Sequence, residues 1–189
     1  MARRRFRRYP LGRPWCEAIE LDDGRRFLVR PMMPDDAPRL RSAFQSLTPD
    51  EVRMRFLHPM RELTPEYAAR LANPDPQREF ALVLVEALHP AQARIGAVAR
   101  ATIDDSSHSA EFAIIVGREL RRQGIARHLL SRVIEWCRKK RLHQVYGFVL
   151  RENQAMLDLA RALGFRLLHA ATSDSIIEVR KILRPAPSE

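Results

Sequence analysis

Glu111-Phe112-Ala113-Ile114-Ile115-Val116 is followed four residues later by Arg121-Arg122-Gln123-Gly124-Ile125-Ala126. The first six residues have the composition of a short strand. From Ile125 onward, Leu129, Leu130, Val133, Ile134 and Cys137 trace one face of a helix that ends in the basic cluster Arg138 to Arg141. A strand therefore feeds a helix N-terminus through a basic turn containing glycine. Such a turn offers unpaired backbone N–H groups and the positive end of the helix dipole, a combination that binds phosphate. Gly124 and Ala126 let a ligand come close to the backbone. Solvated arginines at an ordinary helix start have the same appearance, and the residues alone leave both readings open. Neither the nucleotide P-loop nor the dinucleotide fingerprint is present.

Working outward, Phe80 to Ala87, Arg94 to Ile103 and Ala110 to Val116 read as an antiparallel meander broken at His89-Pro90 and Asp104 to Ser107. Nearer the N-terminus, Cys16 to Leu21 and Arg25 to Pro31 flank Asp22-Asp23-Gly24 as a hairpin. Between hairpin and meander, Leu40, Phe44 and Leu47 recur at helical spacing. Thr48-Pro49-Asp50-Glu51 and Thr64-Pro65-Glu66 each place an N-cap before proline and an acid. Downstream come a strand at His143 to Leu150, a helix begun by Asn153 and closed by Gly164, and strands at Phe165 to Ala170 and Ile176 to Leu183. All thirteen prolines fall at or before Pro90 or at Pro185 and Pro187, so the second half is free for long elements. The order predicts one α/β (α+β) domain over 15–184, with a flexible Arg-rich arm at 1–14 and a tail at 185–189.

With 189 residues, 46% of them hydrophobic, the chain is long enough for one ordinary core, and its longest apolar run, Phe80 to Val85, is far short of a membrane helix. The net charge is +10, and six arginines fall in the first fifteen residues, where no acid appears: Arg3, Arg4, Arg5, Arg7, Arg8 and Arg13. Subtracting those six leaves +4 for the rest, so the charge sits largely in the arm. Anionic partners are expected, nucleic acid through Arg3 to Arg8 among them. Two cysteines, Cys16 and Cys137, fit neither a disulfide framework nor a zinc site, and the six histidines show no metal-ligand spacing. No metal and a reducing, cytoplasmic home are the expectations. Trp136 and Phe148 are expected in the core.

Arg121-x-x-Gly124-x-Ala126, with Asn153 and Leu163-Gly164-Phe165 behind it, resembles the signature of the GNAT superfamily of acetyl-CoA-dependent N-acetyltransferases. Asp23-Gly24, Arg30-Pro31, Asp35-Asp36, Leu47-Thr48-Pro49, Arg55-Phe56, Ala110-Glu111-Phe112 and Asn153-x-x-Met156 are similar to the acetyltransferase domain of bacterial Pat-type protein lysine acetyltransferases, from about Tyr9 to Leu183. The resemblance implies a mixed, mostly antiparallel central sheet flanked by helices. It implies acetyl-CoA as cosubstrate, with Ile114 and Val116 offering backbone groups to the pantetheine arm, Arg121, Arg122, Gln123, Gly124, Ile125 and Ala126 holding the pyrophosphate, and Asn153 either touching the cofactor or only capping its helix. It further implies a protein lysine as acceptor and Glu111 as general base, since a lysine amine with a pKa of about 10.4 must lose a proton before it attacks a thioester. Strand alternation sets Glu111 on a face with Ala113 and Ile115, an apolar setting that raises a carboxylate pKa. A tyrosine that many members carry seven residues after the asparagine is replaced by Ala160, so the acid for the leaving thiolate is unassigned. The alternative from another class is an acyl-CoA sensor or nucleic-acid-binding protein that uses the arm.

Overall fold

A computed structural model describes residues 6–10, 16–88, 93–104, 106–169 and 174–184. Among them the strands are β1 (Phe6–Pro10), β2 (Glu17–Leu21), β3 (Arg26–Pro31), β4 (Glu79–Glu86), β5 (Ile95–Asp104), β6 (Ser109–Val116), β7 (Gln144–Leu150), β8 (Arg166–His169) and β9 (Ile176–Ile182). The helices are α1 (Ala37–Gln45), α2 (Pro49–Phe56), α3 (Pro65–Ala72), α4 (Ile125–Lys139) and α5 (Gln154–Ala162).

Strand order follows chain order from β1 to β7 and then runs β9, β8. Every neighbouring pair is antiparallel except β6 with β7, which α4 connects as a crossover. The sheet is thus mixed and mostly antiparallel, as the family resemblance implies. Alternation along β6 splits its side chains between two cores. Phe112, Ile114 and Val116 belong to the cluster with Leu129, Leu130 and Val133 of α4 and Leu157 of α5. Ile115 packs with Leu40, Phe44, Val52 and Ala68, under α1 to α3.

The helix starts follow the residues read as caps. The Thr48 hydroxyl accepts from the Glu51 N–H at 3.2 Å, and the Glu51 carboxylate accepts from the Thr48 N–H at 2.9 Å, closing a capping box. Thr64 caps α3 through the Tyr67 N–H at 3.2 Å. Gly164, at φ +80°, stands one residue beyond the Leu163 cap of α5 rather than at the cap itself.

Two expectations need correction. Phe6–Pro10, inside the stretch read as a flexible arm, is a strand paired with β2 from Phe6↔Leu21 to Pro10↔Glu17. The basic run lacks an apolar alternation of its own, and β2 supplies the partner edge. Arg3, Arg4, Arg5 and Arg13 lie outside the described residues, as do the tail and Asp105. Phe148 is not a core residue: it is 36% exposed. Trp136 does pack against the core, stacked on Phe80 at 5.3 Å. Among the described residues no helix is long and apolar enough to cross a membrane.

Candidate active site

The site lies where β6 and β7 part. Their parallel register covers Ser109↔Gln144, Ala110↔Val145 and Glu111↔Tyr146, while β6 stays paired with β5 all the way to Val116. Beyond Glu111 one edge of β6 is therefore left open, its backbone groups facing the gap between diverging strands. Phe112 fills the apex of that gap. Its ring lies over Gly147, where a Cβ would come within 2.7 Å of it, and meets Phe165 edge-on at 5.4 Å. A glycine on β7 thus makes room for the aromatic ring just past the last paired residues.

Glu111 stands at the last paired position, between Thr102 of β5 and Tyr146 of β7. The residue is exposed, yet surrounding protein pushes its carboxyl above the ordinary glutamate range, against the pull of the Arg55 guanidinium. The direction of the shift is the one expected from the sequence for this carboxyl. The cause differs in part, because the sequence foresees apolar neighbours and the structure adds a cation from α2. Tyr146 is shifted upward by burial first and by the Glu111 charge second, so its phenol stays protonated at neutral pH beside the carboxylate.

The turn into α4 has the geometry of an anion cradle. Arg122 (φ +63°) and Gly124 (φ +84°) both take left-handed backbone, and the first N–H groups of α4 at Ile125, Ala126 and Arg127 point out of the helix start. Ile125 buries its side chain in the core, which anchors the turn, while Arg121 and Arg122 are exposed. Arg121 is not a free cation. Its guanidinium donates to the Glu51 carboxylate at 2.6 Å, and Arg118 donates to the other oxygen at 3.2 Å. Burial opposes ionisation of Glu51, but the Thr48 N–H and these two arginines outweigh it and hold its carboxyl below the usual range. A second bond from α2 joins Arg53 to Glu152, which follows β7. Helix α2 therefore contacts both lips of the opening.

Ile114 and Val116 lie on the open stretch of β6, with their side chains against the core. Asn153 caps α5, its side-chain oxygen accepting from the Met156 N–H at 3.2 Å. Ala160 is fully buried and brings no hydroxyl to the gap. His108 sits in a turn with its ring 5.8 Å from that of His143. The structure thus gathers Glu111, Ile114, Val116 and the Arg121–Ala126 turn around one opening. Sequence reasoning missed Glu51, Arg55 and Tyr146. Arg55-Phe56 was visible as a pair, but nothing in one dimension ties α2 to β6. Among the described residues no group of three His, Cys, Asp or Glu is placed to hold a metal ion.

Comparison with known proteins gives the family and the fold. The profile of the acetyltransferase (GNAT) domain matches residues 26–166. An acetyltransferase of Pseudomonas aeruginosa is 29% identical over 154 residues, spanning 82% of this chain and 81% of the relative. The crystal structure of the GNAT domain of S. lividans Pat superposes with a TM-score of 0.77 at 21% identity, covering 92% of this chain and 99% of that one. Spermidine N-acetyltransferase from Vibrio cholerae, in complex with CoA and spermine, gives 0.66 at 20% identity, covering 82% and 95%. The chain belongs to the GNAT acetyltransferase family.

Proposed function

We propose that this GNAT acetyltransferase moves an acetyl group from acetyl-CoA to a primary amine, that a protein lysine is the acceptor, and that Glu111 is the general base. The observation that carries the reading is the end of β6–β7 pairing at Glu111↔Tyr146, which sets a carboxylate of raised pKa at the apex of an opening lined by an unpaired strand edge. The residues suit the cosubstrate. The open edge at Ile114 and Val116 matches the amides of a pantetheine arm, as an added strand would. The left-handed turn at Arg122 to Gly124, with the N–H groups of Ile125 and Ala126, matches a pyrophosphate. Acetyl-CoA supplies an activated acyl carbon and a thiol leaving group.

Glu111 takes a proton from the acceptor ammonium, directly or through water, and the freed amine attacks the thioester carbonyl. Backbone N–H groups near Ile114 hold the negative charge that develops on the carbonyl oxygen. As the C–S bond breaks, the thiolate is protonated by water or by the ammonium product, since Ala160 has no hydroxyl to offer. Asn153 acts by fixing the start of α5 beside the site. For the acceptor, the closer overlay on the S. lividans Pat domain than on the Vibrio spermidine enzyme favours a protein lysine. Beyond the first fifteen residues the chain still carries a net +4, which disfavours a polyamine.

The test is thiol release from acetyl-CoA with a lysine-bearing protein or with spermidine, paired with calorimetry on Gly124→Glu. The reading expects faster release with the protein, and loss of acetyl-CoA binding in the variant, which puts bulk and negative charge into the cradle. Unchanged acetyl-CoA affinity in folded Gly124→Glu would remove the phosphate site.

A further inference from the structure

A cavity of about 180 Å³ lies between helices α1 to α3 and the sheet, on the face of β6 that carries Glu111. Its walls are mostly apolar, with Leu40, Phe44, Leu63 and Ile115 among them, and two guanidiniums line it, those of Arg55 and Arg100. Exposed Arg118 and Glu119 lie at its rim. For scale, an apolar cavity of roughly 150 Å³ takes up benzene.

The charge inside this cavity is unbalanced. Arg100 is 7% exposed and donates to the Leu71 carbonyl at 2.9 Å and, at the longer distance of 3.4 Å, to the carboxylate of its salt-bridge partner Glu79. Arg55 has no hydrogen bond or ion pair among the described residues; its guanidinium rests on the ring of its neighbour Phe56 at 4.7 Å. Glu51 also lines the cavity, but its oxygens are taken by Thr48, Arg118 and Arg121. Burial, reinforced by the nearby Arg100 charge, pushes the Arg55 pKa down to about 10 against the opposing pull of Tyr67 and Glu111. Two cations share a largely apolar space with one acid contact, Glu79 on Arg100, and the Glu111 charge acts on Arg55 without a hydrogen bond or ion pair to it, which leaves a site that an anion would complete.

We infer that this cavity is a carboxylate-binding site, taking a carboxylate on a short apolar stem, with Arg55 as its principal ligand and Arg100 as the second cation. Planar guanidinium forks suit a carboxylate, and the aliphatic and aromatic wall suits the stem. The site also bears on catalysis. Arg55 holds the Glu111 carboxyl down, so a carboxylate that neutralises Arg55 makes Glu111 the stronger base. The stem belongs either to the acyl group or to the amine acceptor; assigning it to one of these rests on the transferase reading, whereas the binding site itself does not.

The first experiment is calorimetry of the full chain with benzoate and with benzyl alcohol, a neutral analogue of similar size. Benzoate should bind wild type about tenfold tighter or more, the value of a charged hydrogen-bonded contact. Arg55→Met should abolish that preference and Arg55→Lys should keep part of it, with circular dichroism confirming the fold of each. Equal affinity of wild type for the two probes overturns the site without recourse to any variant, and so does a benzoate preference that survives in Arg55→Met. The second experiment compares wild type with Arg55→Met in thiol release, using succinyl-CoA with a lysine-bearing protein in one arm and acetyl-CoA with an α-amino acid in the other. A loss of kcat/KM tenfold greater in the first arm than in the second assigns the carboxylate to the acyl group, and the reverse assigns it to the acceptor, the change common to both arms being the effect of Arg55 on Glu111. Wild-type rates in both arms overturn a place for the site in transfer. Thiol release absent from wild type in every arm, with benzoate still bound, refutes the transferase reading alone.

Discussion

Gly147→Ala puts a methyl group into the apex of the strand opening. The new Cβ would lie 2.7, 2.9 and 3.0 Å from Cε1, Cζ and Cδ1 of Phe112, closer than carbon atoms tolerate. The ring has little room to retreat, because Phe112 is 5% exposed and meets Phe165 edge-on at an interplanar angle of 62°. Overpacking of this kind costs about 1–3 kcal/mol. For a chain of this size that is a fall in Tm of about 3–10 °C. The strain falls one residue past Glu111↔Tyr146, so it also moves the base relative to the open edge of β6. A displacement of about 1 Å at a reacting centre costs on the order of 10² in rate. Thermal denaturation of Gly147→Ala, Phe112→Leu and the double variant checks the mechanism, since relief of the clash predicts a favourable coupling of about 0.5–3 kcal/mol. Gly147→Ala within about 0.5 kcal/mol of wild type, or strict additivity in the double variant, would refute the packing argument.

Other outcomes follow from the charges. Glu51→Gln removes the charge from both arginine contacts and one of the two acceptor oxygens, and should destabilise the fold by about 1 kcal/mol in urea titration at pH 7. Because its folded carboxyl lies below the unfolded range, the difference from wild type is present above the unfolded pKa, about 4.3, and vanishes as pH falls through the folded value. Glu111 has the opposite sign: its folded carboxyl lies above the unfolded range, so wild type loses stability as pH rises from the unfolded value through the folded one. Glu111→Gln should therefore melt about 1–2 °C higher than wild type at pH 7 and coincide with it in acid, by calorimetry.

Local chemistry was legible in the sequence where one short segment contains the whole determinant. Thr48 with Glu51, Thr64 ahead of Pro65, and Asn153 ahead of α5 each cap a helix within three residues, and each reads correctly. The meander was legible for the same reason, since its strands alternate and turn locally. What long-range pairing decides was not. Glu51 reaches Arg121 across seventy residues, and Arg55 approaches Glu111 only because α2 packs over β6. The β1 strand depends on an edge that β2 provides, which an arginine-rich run does not advertise. Phe148 lies on the Glu111 face of β7, beyond the last pairing with β6, where α1 to α3 do not cover it; it meets Tyr146 edge-on at 5.8 Å.

The pH dependence of thiol release by wild type and Glu111→Gln, with acetyl-CoA and a lysine-bearing protein, tests the central claim most directly. The wild-type rate should rise as Glu111 loses its proton above the ordinary glutamate range and then level off. The variant should lose about 10² to 10⁴ in rate at neutral pH. It should recover only as pH climbs toward the amine pKa of about 10.4, where solvent supplies the neutral nucleophile. Two profiles of the same height and shape would contradict the assignment of Glu111 as the base.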